Sequence, residues 1–329
     1  MKKIAFLVCT DYGFPVYSAE SVCRSLKNTG CSVMPLDYRE DDSTLQQQIE
    51  MFSPAAVFMI LSGTEWGQIV SRLSDLKIPL IGWITDDPIC VDYSRRFIHY
   101  FHTVYTTEKN ASFVYRGLGH RRTAFLPHCA DPGLYYHDPR ESSVYHSDVC
   151  TVLPPSSLLM EYITFLLDYT DWTIQTVGKG WHEALAHRIP QPKLKVVNYW
   201  VPPRIARHFY SSAKVSLTLS HRDNPSHNQT GIPAGSPSHE VFAAGACRGF
   251  QLTSRRRENS GLFSTPFTPL QVGSREETLA LISHYLTDDR TRELSAEACF
   301  NEIMNRNTLD HRIKYVITHL DSEEIPHYN

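Results

Sequence analysis

The sequence predicts an α/β protein of two doubly wound domains facing across a cleft, and three observations carry that reading. Short apolar runs alternate with amphipathic stretches in the first 126 residues, and the alternation restarts after residue 148. Strand and helix in strict alternation predict a parallel sheet covered on both faces. The third observation is a pair of loops: the turn Ile84-Thr85-Asp86-Asp87-Pro88 ends an apolar run, and the loop 231–238 opens an alanine-rich helix. Strand carboxyl ends and helix amino ends are where such sheets hold ligands, so one half-site falls in each domain.

In the first half, 4–9 reads as a strand, 16–29 as a helix closed by Gly30, 31–36 as a strand, 43–51 as a helix, 55–61 as a strand and 66–75 as a helix. Strands at 79–84, 103–106 and 123–126 follow, with helices at 93–100 and 108–117 between them. The aperiodic stretch 127–148, rich in Pro, Tyr, His and Asp, reads as a linker. Beyond it, strands are expected at 148–153, 173–177, 195–197, 215–219, 249–252 and 267–271. Helices are expected at 157–169, 182–187, 203–212, 236–247, 275–287, 289–306 and 309–319.

Bulk properties narrow the function. A length of 329 residues suits two domains. A net charge of −3 gives no electrostatic reason to expect nucleic acid, and Arg255-Arg256-Arg257 reads as a solvated loop. Met1-Lys2-Lys3 and the run 4–9 are too short for a signal peptide, and no apolar run approaches the roughly 20 residues needed to span a bilayer. Eight cysteines without Cys-x-x-Cys spacing point to reduced thiols and a cytoplasmic location. The sixteen histidines include no set with zinc-site spacing, so no metal is expected.

The chain resembles a known family, the CgeB-like (spore maturation) glycosyltransferases of the GT-B fold, over nearly its whole length. The likeness rests on Trp83-Ile84-Thr85-Asp86-Asp87-Pro88, on Val104-Tyr105-Thr106-Thr107 with Tyr115 and Gly117, and on Leu126-Pro127-His128-Cys129-Ala130-Asp131-Pro132. In the second half it rests on 209–217, on 238–253 and on Asn307-Thr308-Leu309-Asp310-His311-Arg312. The resemblance implies GT-B architecture: an acceptor-side domain over 1–135, completed by a returning helix at 309–325, and a donor-binding domain over 145–308. It implies transfer of a sugar from a nucleotide-diphosphate donor to a glycan, protein or small-molecule acceptor, with neither metal nor bound cofactor.

A departing diphosphate needs its charge met, and helix amides with the positive dipole end do this. Ser236-Pro237-Ser238 reads as such a helix start, with Gly231 and Gly235 allowing close backbone approach. Lys179, in Val177-Gly178-Lys179-Gly180, and Arg222 follow predicted strands and could supply cations. Each also reads as an ordinary surface residue in a turn.

In CgeB-like relatives an Arg-x-Phe-Glu element follows the phosphate loop, and its Glu binds the ribose hydroxyls. Here Glu240 stands at the Arg position and Ala243 at the Glu position. Glu240, on the same helix face, could take over the ribose contact, or it is a first-turn carboxylate favoured by the dipole. A second reading follows from this departure: a catalytically lapsed relative acting as a binding or scaffold protein. Val152-Leu153-Pro154 also lacks the glycine turn that relatives place after the first strand of this domain.

On the acceptor side, Asp86 and Asp87 are the candidates for orienting an acceptor hydroxyl or taking its proton. The same residues could simply form a turn that caps the next helix. Tyr12 and Gly13, after the first strand, and His99 are assigned to the same side.

Overall fold

The computed structural model describes residues 1–9, 16–220, 226–263 and 269–328, and the chain divides into two compact units. Unit 1 comprises Met1–His128, Arg222–Ser236 and Leu309–Asn329; unit 2 comprises Cys129–His221 and Pro237–Thr308.

Unit 1 carries strands β1 (Lys3–Cys9), β2 (Ser32–Pro35), β3 (Ala56–Leu61), β4 (Leu80–Ile84), β5 (Thr103–Thr106) and β6 (Thr123–Phe125). They form one parallel sheet in the order β2-β1-β3-β4-β5-β6. Strand order reverses beside β1. Every residue of β3 and β4 is buried, which is why those strands read as unbroken apolar runs rather than alternating ones.

The helices of this unit are α1 (Ala19–Asn28), α2 (Asp42–Phe52), α3 (Gly67–Ser74), the short α4 (Val91–Ser94) and α5 (Lys109–Gly117). Side-chain caps set the starts of α1 and α2: Ser18 accepts from the Ser21 amide at 3.0 Å, and Asp41 from the Thr44 amide at 2.9 Å. The helix expected over 93–100 is instead α4 followed by a 3-10 turn at Ile98–Tyr100. Trp83 stacks on Tyr17 with ring centroids 5.0 Å apart, and its indole N–H donates to the Leu126 carbonyl at 2.9 Å.

Unit 2 carries β7 (Val149–Thr151), β8 (Ile174–Val177), β9 (Leu194–Val197), β10 (Val215–Thr218), β11 (Gln251–Ser254) and β12 (Leu270–Val272), all parallel, in the order β12-β11-β10-β7-β8-β9. Here the order reverses between β7 and β10. Its helices are α6 (Ser157–Tyr169), α7 (Trp181–Ala184), α8 (Pro203–Ser212), α9 (His239–Ala246), α10 (Asn259–Leu262), α11 (Arg275–Thr287) and α12 (Asp289–Arg306). Alternate strand residues fill the two faces: Val149, Ile174 and Leu217 pack with Ile163 and Ile282, while Cys150 and Val177 pack with Phe209.

α9 is buried along nearly all its length, and its small residues let neighbours close in. A side chain added at Gly245 would collide with Ile303 of α12. The stretch expected as a linker is fastened within unit 2, where Asp138 pairs with Arg207 at 3.0 Å and Arg140 at 3.2 Å.

The last helix, α13 (Leu309–Thr318), returns to unit 1 and packs on α1, where Ser25 hydrogen-bonds Asp310. Arg312 is buried there, donating to the Pro127 and His128 carbonyls at 3.0 Å each and lying 4.1 Å from the centre of the Tyr328 ring. Several acceptors and an aromatic face are what a buried guanidinium requires.

Candidate active site

In unit 1 the carboxyl end of β4 carries Thr85-Asp86-Asp87. Thr85 is buried and donates to the Leu61 carbonyl at 3.0 Å, drawing this turn against the end of β3. Asp86 is half-buried and accepts from the Ser62 hydroxyl at 3.0 Å and the Gly63 amide at 2.6 Å. It therefore stands at the ligand-bearing edge of the sheet, one strand from the β1 reversal.

Asp87 turns the other way. It is 2% exposed and accepts from Thr106 at 2.6 Å and from the Tyr115 hydroxyl at 2.8 Å. Burial pushes its carboxyl up to about 7, with Glu108 and Asp86 adding to the rise. The expectation that Asp87 meets a substrate is corrected: its carboxylate ties β4, β5 and α5 together from inside.

His99 is also corrected. It is exposed on the 3-10 turn leading into β5, and His102, three residues on, donates its amide to the carbonyl of Leu80, the first residue of β4. That is the amino-terminal edge of the sheet, opposite Asp86. Tyr12 and Gly13, and Arg222 on the donor side, lie outside the described residues.

The loop expected to cradle phosphate divides. Gly235 and Ser236 belong to unit 1, and their amides donate to a single Glu108 oxygen at 3.0 and 3.1 Å. Glu108 is 1% exposed, also accepts from the Asn110 amide at 3.1 Å, and its carboxyl is raised by burial against the pull of those N–H groups. The two amides thus hold the protein's own carboxylate, where the sequence reading expected a phosphate. Gly235 and Ser236 are thereby withdrawn as phosphate ligands. The domain expected over 145–308 is interrupted here, because residues 222–236 belong to unit 1.

Of the residues expected to meet the donor phosphates, the start of α9 remains. A helix joining parallel strands runs back antiparallel to them, so the amino end of α9, between β10 and β11, lies at the carboxyl edge of the unit 2 sheet. Ser238 has the extended backbone of an N-cap, yet makes no side-chain capping hydrogen bond. It is 2% exposed, and its hydroxyl has no hydrogen-bond partner among the described residues.

Lys179 is exposed at the end of β8, between Gly178 (φ 149°) and Gly180 (φ 100°). Asn198 pins that turn by accepting from the Gly180 and His182 amides at 2.9 and 3.0 Å. In the sheet order β10-β7-β8, the strand that precedes α9 and the strand that leads to Lys179 are the two neighbours of β7. A side chain at Gly178 would come within 2.8 Å of the Leu153 carbonyl, so the close approach beside β7 uses a glycine on the neighbouring turn.

Glu240 is half-buried, and its charge adds to the burial that raises the phenols of Tyr210 and Tyr135. Ala243 is 1% exposed inside α9 and offers a ligand no polar group. Among the described residues, no group of three or more His, Cys, Asp or Glu side chains could hold a metal ion.

Against known proteins, residues 161–318 match the family model described as glycosyl transferase-like. The chain is 28% identical to the spore protein CgeB of Bacillus subtilis (strain 168), over 86% of this chain and 88% of that protein. The chain is similar to the CgeB-like glycosyltransferases.

The fold of this CgeB-like chain recurs in solved structures. An α-glucosyltransferase in complex with UDP superposes with a TM-score of 0.69 at 10% identity, covering 97% of this chain and 99% of that one. Sucrose-phosphate synthase from Thermosynechococcus elongatus superposes at 0.66 and 10% identity, covering 97% and 98%. At such identities the likeness establishes the GT-B fold, two doubly wound units in one chain, and leaves the chemistry to the residues.

Sequence reasoning missed Glu108 and its hold on the loop before α9. Its only local signal was a carboxylate directly after a strand and before a helix, which also describes an ordinary N-cap.

Proposed function

We propose that this glycosyltransferase moves a sugar from a nucleotide-diphosphate donor held at the amino end of α9 to a hydroxyl oriented by Asp86. The carrying observation is Ser238, whose buried cap hydroxyl has no hydrogen-bond partner among the described residues, at the start of the helix that follows β10, a strand at the order reversal. A buried hydroxyl without a partner is costly, and a phosphate oxygen would accept from it while the helix dipole favours the phosphate charge.

Lys179, after the strand on the other side of β7, supplies a mobile cation for the same charge. The UDP named in the complex of the structurally similar α-glucosyltransferase supports a uridine donor. The name of the spore protein CgeB supports a spore-associated glycan or protein acceptor. Metal-independent turnover inside the cell completes the proposal; no helix among the described residues is long and apolar enough to cross a membrane, and none of the eight cysteines forms a disulfide.

The test is UDP release from a panel of UDP-, GDP- and dTDP-sugars in the presence of EDTA, with candidate acceptors added. Saturable, acceptor-dependent release supports the reading. No release and no binding of any donor by folded protein removes it.

A further inference from the structure

The stretch of chain between β10 and α9 does not stay with unit 2. Over residues 226–236 it forms a strap docked on unit 1, and the attachment is dense. Asp92 accepts from the Gln229 amide at 2.6 Å, and its own amide donates to the His227 carbonyl at 2.9 Å. Ile232 enters the apolar core of unit 1. Asn110 donates to the Pro233 carbonyl at 2.9 Å. Glu108 then takes the Gly235 and Ser236 amides together.

We infer that Glu108 is a positioning residue for donor binding: by fixing Gly235 and Ser236 it restricts where the cap of α9, Ser238, two residues further on, can lie. Ser236 and the Ser238 cap are separated by one residue, so the chain between them spans at most about 7 Å. An anchor at Ser236 therefore confines Ser238 and the first amides of α9 to a small volume. Without it, the strap would still be held as far as Pro233, but residues 234–236 leading to the cap would lose their anchor, and ordering them around a diphosphate would cost backbone entropy at the moment of binding.

The chemistry of the anchor is specific to a carboxylate. Three amides, those of Asn110, Gly235 and Ser236, converge on two oxygens, and an amide side chain has only one acceptor to offer. A side chain at Gly235 would crowd this anchor, since an added Cβ would lie 3.2 Å from the Asn110 side-chain nitrogen and 3.4 Å from Glu108.

This inference rests on the donor site proposed at α9, and its test separates the two. Glu108→Gln and Gly235→Ala are compared with wild type by hydrogen exchange over residues 235–241 and by calorimetric titration with UDP. Gly235→Ala crowds the same contact from the strap side, so it reports if Glu108→Gln fails to fold. The expected result is faster exchange at 235–241, with protection in β3 and β4 retained, and UDP affinity lowered about tenfold. In turnover assays the donor KM rises by a similar factor while kcat stays within about threefold. Faster exchange with unchanged UDP affinity, or unchanged exchange in folded variants, overturns the role of Glu108. If wild type itself takes up no UDP, the α9 donor site fails, and exchange in the first turn of α9 alone decides whether Glu108 positions it.

Discussion

The Tyr115 hydroxyl donates to both oxygens of Asp87, at 2.9 and 2.8 Å, beneath the end of β4. Burial is the largest influence on this carboxyl and lifts it to about 7, against the opposing pull of Thr106 and Tyr115. The folded chain therefore binds a proton that the unfolded chain has already released. Stability from this group is present below the ordinary carboxylate range and is lost as pH rises towards 7, at about 1.4 kcal/mol per pH unit for one proton. Asp87→Asn is expected to remove that slope and to be more stable than wild type at pH 8, with UDP affinity unchanged. Urea unfolding at pH 5, 6, 7 and 8 measures it, and an unaltered slope in the variant contradicts the assignment.

Asp86 differs from its neighbour in being half-buried and bonded to the loop after β3. If it orients the acceptor hydroxyl, Asp86→Asn lowers transfer by about 100-fold or more, the usual scale of acid–base participation, without weakening UDP binding. Parallel measurement of UDP release and UDP affinity separates the two effects. A variant that loses both equally assigns Asp86 to holding the loop rather than to chemistry.

Restoring the family glutamate at position 243 does not restore a ligand contact here. Ala243 is 1% exposed, so Ala243→Glu forces a carboxylate into the interior without a partner. The expected outcome is a loss of several kcal/mol in denaturant unfolding and no gain in UDP affinity. A stable variant with tighter UDP binding shows that the position opens to the ligand.

Much of the fold is legible in the residues because each element satisfies its own local requirement. The runs that became β3 and β4 are apolar throughout because both faces are covered. Ser156 and Ser274 mark the starts of α6 and α11 by accepting from Leu159 and Glu277 amides.

The site was legible only in outline. The end of β4 and the start of α9 were visible as a strand end and a helix start, but which way a side chain turns there depends on distant partners. Asp87 is drawn inward by Tyr115, 28 residues on, and Gly235 is occupied by Glu108, 127 residues earlier in the chain. Position along a periodic pattern carries no information about either. His99 was misplaced for a related reason: a helix-like spacing does not reveal that the segment breaks at α4 and resumes as a turn at the opposite edge of the sheet.

The most direct measurement is calorimetric titration of wild type and Ser238→Ala with UDP, alongside their unfolding curves. Replacing an N-cap serine by alanine ordinarily costs about 0.5–2 kcal/mol, but Ser238 makes no capping bond, so the variant is expected to unfold with wild type. A hydrogen bond to a charged phosphate contributes about 1.5–3 kcal/mol, so UDP affinity is expected to fall tenfold or more. Equal UDP affinity in the two proteins, or no UDP binding by wild type, would contradict a donor diphosphate at the amino end of α9.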